Sequence, residues 1–133
     1  MTVDDLLLDL PARPESVALA RAGATELEVE DEACRQALLI VVSELVTNAI
    51  RHGGLGADEY LTLCVTRLRD RIRVEVIDRG AGFDRQCATA IEPSVHGGFG
   101  LRIVTELSER WGVIPGEGAV WAEVPARTGA LAD

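Results

Sequence analysis

No lysine occurs among the 133 residues; all 13 basic side chains are arginine. This excludes a P-loop lysine, a Schiff-base lysine and the strand lysine of ordinary protein kinases, because each uses the ammonium group itself. Positive charge is short overall, with 22 acidic residues and a net charge of −9, which argues against binding nucleic acid or an anionic membrane. The three cysteines, Cys34, Cys64 and Cys87, form no CxxC, and their odd count reads as reduced thiols in a cytoplasmic protein. Neither His52 nor His96 stands at a zinc-ligand spacing from them. The longest apolar run, 37–42, is far too short to cross a bilayer. Asp4, Asp5 and Asp9, with no basic stretch, argue against a signal peptide. Aromatic residues make up only 4%, and Trp111 and Trp121 read as core or sheet-face residues rather than a stacking platform.

What is present is a globular composition, 47% hydrophobic and 26% charged, of a length that suits one domain over 1–133. Its core is expected over about 8–124, with a tail over 126–133 that frays. A short strand is expected over 3–10, and Pro14 then opens a helix with Val17, Ala20, Ala24 and Leu27 on one face. Gly23 weakens that helix without ending it. The strongest helix spans 30–50, capped by Asp31, with Leu38, Val42, Leu45, Val46 and Ala49 as its apolar stripe and Gly53-Gly54 as its stop. Residues 60–67 and 71–77 form a hairpin turning at 68–70, with Ile72, Val74 and Val76 on one face. A glycine-rich turn over 78–83 and a loop over 85–96 lead to a helix over 101–110 with Ile103, Val104 and Leu107 inward, then a second hairpin, 111–114 with 119–124. The order predicts an α/β (α+β) two-layer sandwich: a mixed, mostly antiparallel sheet with helices on one face. The arginines at 67, 69, 71 and 73 read as a solvated sheet edge.

Three constellations could carry chemistry. Glu44, Asn48 and His52 are spaced four apart, so one helix side stacks a carboxylate, a carboxamide and an imidazole. These types offer a general base and a hard oxygen ligand for Mg²⁺, although spacing alone equally suits a solvated polar face. Asp78 ends a buried strand and is followed by Gly80 and Gly82, which suits an acceptor for an exocyclic amine beside space for a flat ring, or simply a turn. Gly98 and Gly100 precede Leu101 at a helix start, where free N–H groups and the helix dipole favour phosphate. The Rossmann pattern fails, since no third glycine stands near Arg85 with a helix directly after it.

Taken together and in this order, the ExxxN of Glu44 and Asn48, the DxGxG of Asp78 to Gly82 and the GxG of Gly98 to Gly100 resemble the GHKL (histidine kinase-like) ATPase superfamily. The string ELVTNAIRHG and the closing tryptophan-bearing hairpin are similar to the small bacterial anti-sigma-factor serine kinases. The resemblance implies a Bergerat-type ATP-binding fold with ATP and Mg²⁺ as cofactors. It implies Asn48 as the Mg²⁺ ligand, Asp78 as the adenine contact with Gly80 and Gly82 making room for the ring, and Glu44 as the catalytic base toward a serine hydroxyl. It also implies Gly98, Gly100 and Leu101 at the phosphates, with His52, on the same helix side as Asn48, among the cofactor-binding residues.

The implied partners are a sigma factor and an anti-anti-sigma protein, without direct contact to nucleic acid or membrane; homodimerisation is implied by the resemblance alone. Ala119 departs from the family, which often places threonine there, and the lost hydroxyl is expected to weaken nucleotide binding by about 1 kcal/mol. Glu117 stands where many relatives carry lysine, and the lid is short. These departures leave a second reading open, an ATP-gated regulatory binding module without significant kinase activity.

Overall fold

The computed structural model describes residues 5–52, 56–78, 99–114 and 118–127. In chain order the elements are β1 (Asp5–Pro11), α1 (Ser16–Thr25), α2 (Glu32–His52), β2 (Tyr60–Arg67), β3 (Arg71–Asp78), α3 (Phe99–Leu107), β4 (Arg110–Ile114) and β5 (Ala119–Pro125). The strands form one sheet in the order β1-β2-β3-β5-β4. Every pairing among them is antiparallel, so the sheet is not mixed. The helical segment between β3 and β4 does not return the chain to a parallel neighbour; it leads into β4, and β5 then turns back to lie against β3.

Period-two alternation decides the layers. Ile72, Val74 and Val76 of β3 are buried, as are Val120, Ala122 and Val124 of β5 and Leu61, Leu63 and Val65 of β2. They face Leu38, Val42, Leu45, Val46 and Ala49 of α2, together with Ala20 and Ala24 of α1 and Val104 of α3. Each buried valine or leucine contributes roughly 1.5–3 kcal/mol of transfer free energy. The three helices among the described residues therefore lie on one face, as the alternation predicts. α1 runs through Gly23, where the side chains of Leu6 and Leu8 pack close against the backbone: a Cβ there would stand 2.8 Å from Leu8 Cδ1.

Boundaries moved for identifiable reasons. α1 begins at Ser16 rather than Pro14, because the N–H groups of Ser16 and Val17 donate to the carbonyls of Arg13 and Pro14 in a tight turn, at 3.0 and 3.1 Å. α3 ends at Leu107 rather than at 110, since the Glu109 N–H donates to the Glu123 carbonyl of β5 at 2.8 Å and draws the chain into the sheet. It also starts earlier, with Phe99 and Gly100 already helical. α2, at 21 residues, is long and apolar enough to cross a membrane by length and composition, more than its longest apolar run suggests. Its apolar stripe is instead taken up by the core.

The arginine run is not a solvated edge. β3 is the middle strand, and its outward Arg71 and Arg73 converge with Arg110 on Glu123, which is only 3% exposed. Arg67 reaches from β2 to donate to the Leu27 carbonyl in the α1–α2 connection, next to Glu28 with its positive φ of 52°. Trp111 packs against the core and donates from Nε1 to Thr105 Oγ1 at 2.8 Å. Trp121 lies on the opposite face of the sheet, with Arg73 over its ring. Cys34 is buried and Cys64 half-buried; Cys87, His96, Gly53, Gly54 and Glu117 lie outside the described residues.

Candidate functional site

α2 sets the first part of the site. Asp31 caps it as expected, its Oδ1 accepting the Cys34 N–H at 3.1 Å. Burial of Leu38, Val42, Leu45 and Val46 fixes the helix's rotation and leaves Glu44, Thr47 and Asn48 half-buried at the margin of the core. Arg51 and His52 are exposed at the last described turn. Along this side the exposure thus rises from Glu44 and Asn48 toward His52.

Asn48 carries an unmet demand. Its Nδ2 is buried and has no hydrogen-bond partner among the described residues. A buried amide donor left unmade costs about 1–3 kcal/mol, which makes this position a candidate for a ligand bearing acceptor oxygens or for an ordered water. The same amide offers Oδ1 as a hard oxygen ligand for a cation.

Asp78 supplies the second part. It ends β3, is 0% exposed, and sits across from Leu61 of β2. Its backbone N–H donates to the Gly118 carbonyl at 2.6 Å, so the end of the central strand is held from the β5 side as well. Ala119, beside Gly118, is 2% exposed and brings only a methyl group to that corner.

α3 supplies the third part. It packs alongside α2, with Gly100 and Leu101 in its first turn. Gly80, Gly82 and Gly98 lie outside the described residues. Among the described residues no group of three or more His, Cys, Asp or Glu converges. Any metal would therefore take most of its ligands from elsewhere, as Mg²⁺ does when substrate phosphates and water complete its shell.

A helix bearing a carboxylate and a carboxamide one turn apart, a buried aspartate at a central strand end, and a second helix with glycine in its first turn beside the first are thus built onto one antiparallel sheet. The histidine kinase-like ATPase domain family matches residues 10–122 of the sequence. The chain belongs to this family. Its five-stranded antiparallel sheet with helices on one face is the α+β architecture expected of a GHKL ATPase domain.

Several family members carry the same description. The chain is 35% identical to the serine-protein kinase RsbW of Listeria monocytogenes serotype 4a (strain HCC23) over 91 residues, covering 61% of this chain and 54% of that protein. It is 30% identical to the serine-protein kinase RsbW of Staphylococcus epidermidis over 129 residues, covering 81% of this chain and 77% of that protein. A serine-protein kinase RsbW of Listeria innocua is 34% identical over 91 residues. The chain spans about half the length of the Listeria relatives it matches.

One contributor to the site escaped the sequence reading. Gly118 appeared there only as part of a hairpin turn, yet its carbonyl holds Asp78. The available signal was a glycine directly before a strand, which marks a backbone position of unusual conformation.

Proposed function

We propose that this chain binds ATP with Mg²⁺ and transfers the γ-phosphoryl group to a serine hydroxyl of a protein substrate. The observation that carries this reading is Asn48, whose buried Nδ2 lacks a partner among the described residues, one helical turn from Glu44. Asn48 would hold Mg²⁺ through Oδ1, leaving Nδ2 to donate to a phosphate oxygen. Bound Mg²⁺ supplies charge neutralisation on the phosphates that no lysine here can provide. Exposed Arg51 and Arg102, on the two adjacent helices, add positive charge.

Glu44 accepts the serine proton as the serine oxygen bonds to the γ-phosphorus and the bond to the β–γ bridging oxygen breaks, releasing ADP. Asp78 accepts a hydrogen bond from the adenine amine, with Gly80 and Gly82 admitting the ring. Gly98, Gly100 and Leu101 place the start of α3 at the phosphates, with His52 at the outer end of the Asn48 row. Such positioning and charge neutralisation are the main requirements of phosphoryl transfer.

The names of the relatives support the serine-kinase reading, and the resemblance of the motifs extends it to an anti-sigma factor. In that role the chain binds a sigma factor and phosphorylates an anti-anti-sigma protein in the cytoplasm, as a homodimer and without contacting nucleic acid or membrane. The net charge of −9 suits a partner with basic patches. Ala119 favours a second reading, an ATP-gated binding module in which nucleotide sets the partner surface without significant transfer.

Calorimetric titration with ATP and Mg²⁺, wild type beside Asp78→Asn, tests the site: saturable binding lost in the variant supports it, and no binding to wild type removes both readings. Incubation of the wild type with ATP, Mg²⁺ and the anti-anti-sigma partner then separates them. Phosphoserine supports the kinase, and its absence alongside intact ATP binding supports the gated module.

A further inference from the structure

We propose that Ile40 is a specificity-determining residue for the protein substrate: it receives an apolar side chain that stands within two positions of the phosphorylated serine. The inference rests on the reading of Glu44 as the base toward that serine, and it adds the class of sequence around the serine.

Residues four apart on an α-helix climb about 6 Å and turn about 40° round its axis. On α2 the row Asn48, Glu44, Ile40 therefore turns steadily from the core margin toward solvent. Asn48 is half-buried with its Nδ2 buried, Glu44 is half-buried, and Ile40 is 37% exposed. The nucleotide phosphates belong at the deep end of this row, beside Asn48. A serine carried by another folded protein reaches Glu44 from solvent, and Ile40 stands one turn out from Glu44 in that direction. The i±3 and i±4 neighbours of Ile40 are Gln36, Ala37, Ser43 and Glu44, with no cation among them. The Ser43 hydroxyl is committed to the Leu39 carbonyl at 2.8 Å. An apolar residue suits this surface, and Glu44 disfavours an acidic one. An extended chain advances about 3.3 Å per residue, so two residues of substrate span the turn between Glu44 and Ile40. Single exposed apolar residues are common on protein surfaces, and Leu7, Leu19, Tyr60 and Leu68 are such residues on other parts of the fold. Ile40 differs from them by standing on the helix side that carries Glu44.

The test measures phosphoserine formation at saturating ATP and Mg²⁺ against rising concentrations of the anti-anti-sigma protein. Ile40→Gln is neutral and favours helix, so it leaves the charge around Glu44 as it was. It should raise KM for the protein about tenfold, the low end of what burying an isoleucine is worth, with kcat and ATP affinity within about twofold. Ile40→Leu should stay within about twofold of wild type. Leu68→Gln, a control in the β2–β3 turn at the end of β3 opposite Asp78, removes a similarly exposed apolar side chain and should change nothing. Mapping of the phosphopeptide should find an apolar residue within two positions of the serine. Glutamine at that substrate position should raise KM with wild type and add little with Ile40→Gln.

An unchanged KM in Ile40→Gln overturns the proposal, as does an equal rise in Leu68→Gln or in Ile40→Leu. A fall in kcat at constant KM overturns it too, since that marks a structural effect on Glu44. Polar residues at every position within two of the serine refute it, and so do fully additive losses in the paired variants. A wild type that binds ATP but yields no phosphoserine instead overturns the reading of Glu44, and this inference falls with it. If Ile40→Gln does not fold, the substrate variant decides with wild type alone: a KM raised about tenfold supports the contact, and an unchanged KM refutes it.

Discussion

The guanidinium of Arg73 lies 4.4 Å from the centre of the Trp121 indole, and its Nη1 donates to Glu123 Oε2 at 3.0 Å. One side chain thus stacks on a ring and neutralises a buried carboxylate, on the sheet face away from the helices. Arg110 Nε and Arg71 Nη1 complete the arrangement at 2.9 and 3.3 Å from Glu123 Oε1.

Burial pushes the Glu123 carboxyl up, but the hydrogen bonds from Arg110, Arg73 and Arg71 together hold it below its ordinary value of 4.5. A carboxyl lowered in the folded state contributes stability above its unfolded value and loses it as pH falls through the folded value. Glu123→Gln keeps the shape and removes the charge. It should cost about 2 kcal/mol at pH 7, and its gap from wild type should shrink as pH is lowered below that of the free carboxyl. Urea denaturation of both proteins at pH 7 and under acid checks the sign.

Gly112 lies under the same indole: a Cβ there would stand 3.1 Å from Trp121 Nε1 and Cζ2. Alanine asks the half-exposed ring to yield slightly, so Gly112→Ala should be nearly neutral. Gly112→Val should destabilise by about 1–2 kcal/mol, because the branched side chain must displace the ring from Arg73. Tryptophan fluorescence together with a denaturation curve distinguishes ring displacement from global loss.

Asp31→Ala removes the acceptor of the Cys34 N–H at the start of α2. A lost N-cap costs about 1 kcal/mol, which lowers the midpoint of thermal unfolding by roughly 3–4 °C in a domain of this size. Differential scanning calorimetry reads the change directly.

Glu44 and Asn48 should separate chemistry from binding. Glu44→Gln is expected to leave ATP affinity within about twofold and lower phosphoryl transfer by roughly 10²- to 10⁴-fold, the usual worth of a general base. Asn48→Ala should lose the Mg²⁺-dependent part of ATP binding with little loss of fold stability, since its buried donor has no partner among the described residues to forfeit. Titrations with and without Mg²⁺, beside a transfer assay, check both.

Local pattern carried most of the fold. The β2–β3 hairpin was legible because Ile72, Val74 and Val76 alternate with polar residues across a short turn. α2 was legible because its apolar stripe and its cap agree. The antiparallel joining of β3 to β5 was not, since it pairs Ile77 with Ala119 and neither segment names its neighbour. The same distance hid Glu123 from the arginine run, whose partner lies 50 residues away.

At the candidate site, Glu44, Asn48 and Asp78 could be read as side chains of fitting chemistry at meaningful spacings. Gly118 could not, because its contact with Asp78 is made by a backbone carbonyl. His52 shares the helix side as its spacing predicts, but stands exposed at the end of the row.

The seam between β3 and β5 also bears on how the domain assembles. β2 pairs with β3, and β4 with β5, each across a short connection, whereas β3 meets β5 only after the chain has travelled from Asp78 to Ala119. Local pairings close early and distant ones late, because loop closure must precede the contacts that reward it. A chain that has formed both hairpins without joining them has not yet brought Gly118 to Asp78. Recovery of nucleotide binding during refolding should therefore follow completion of the whole sheet, and neither half of this domain alone should bind nucleotide.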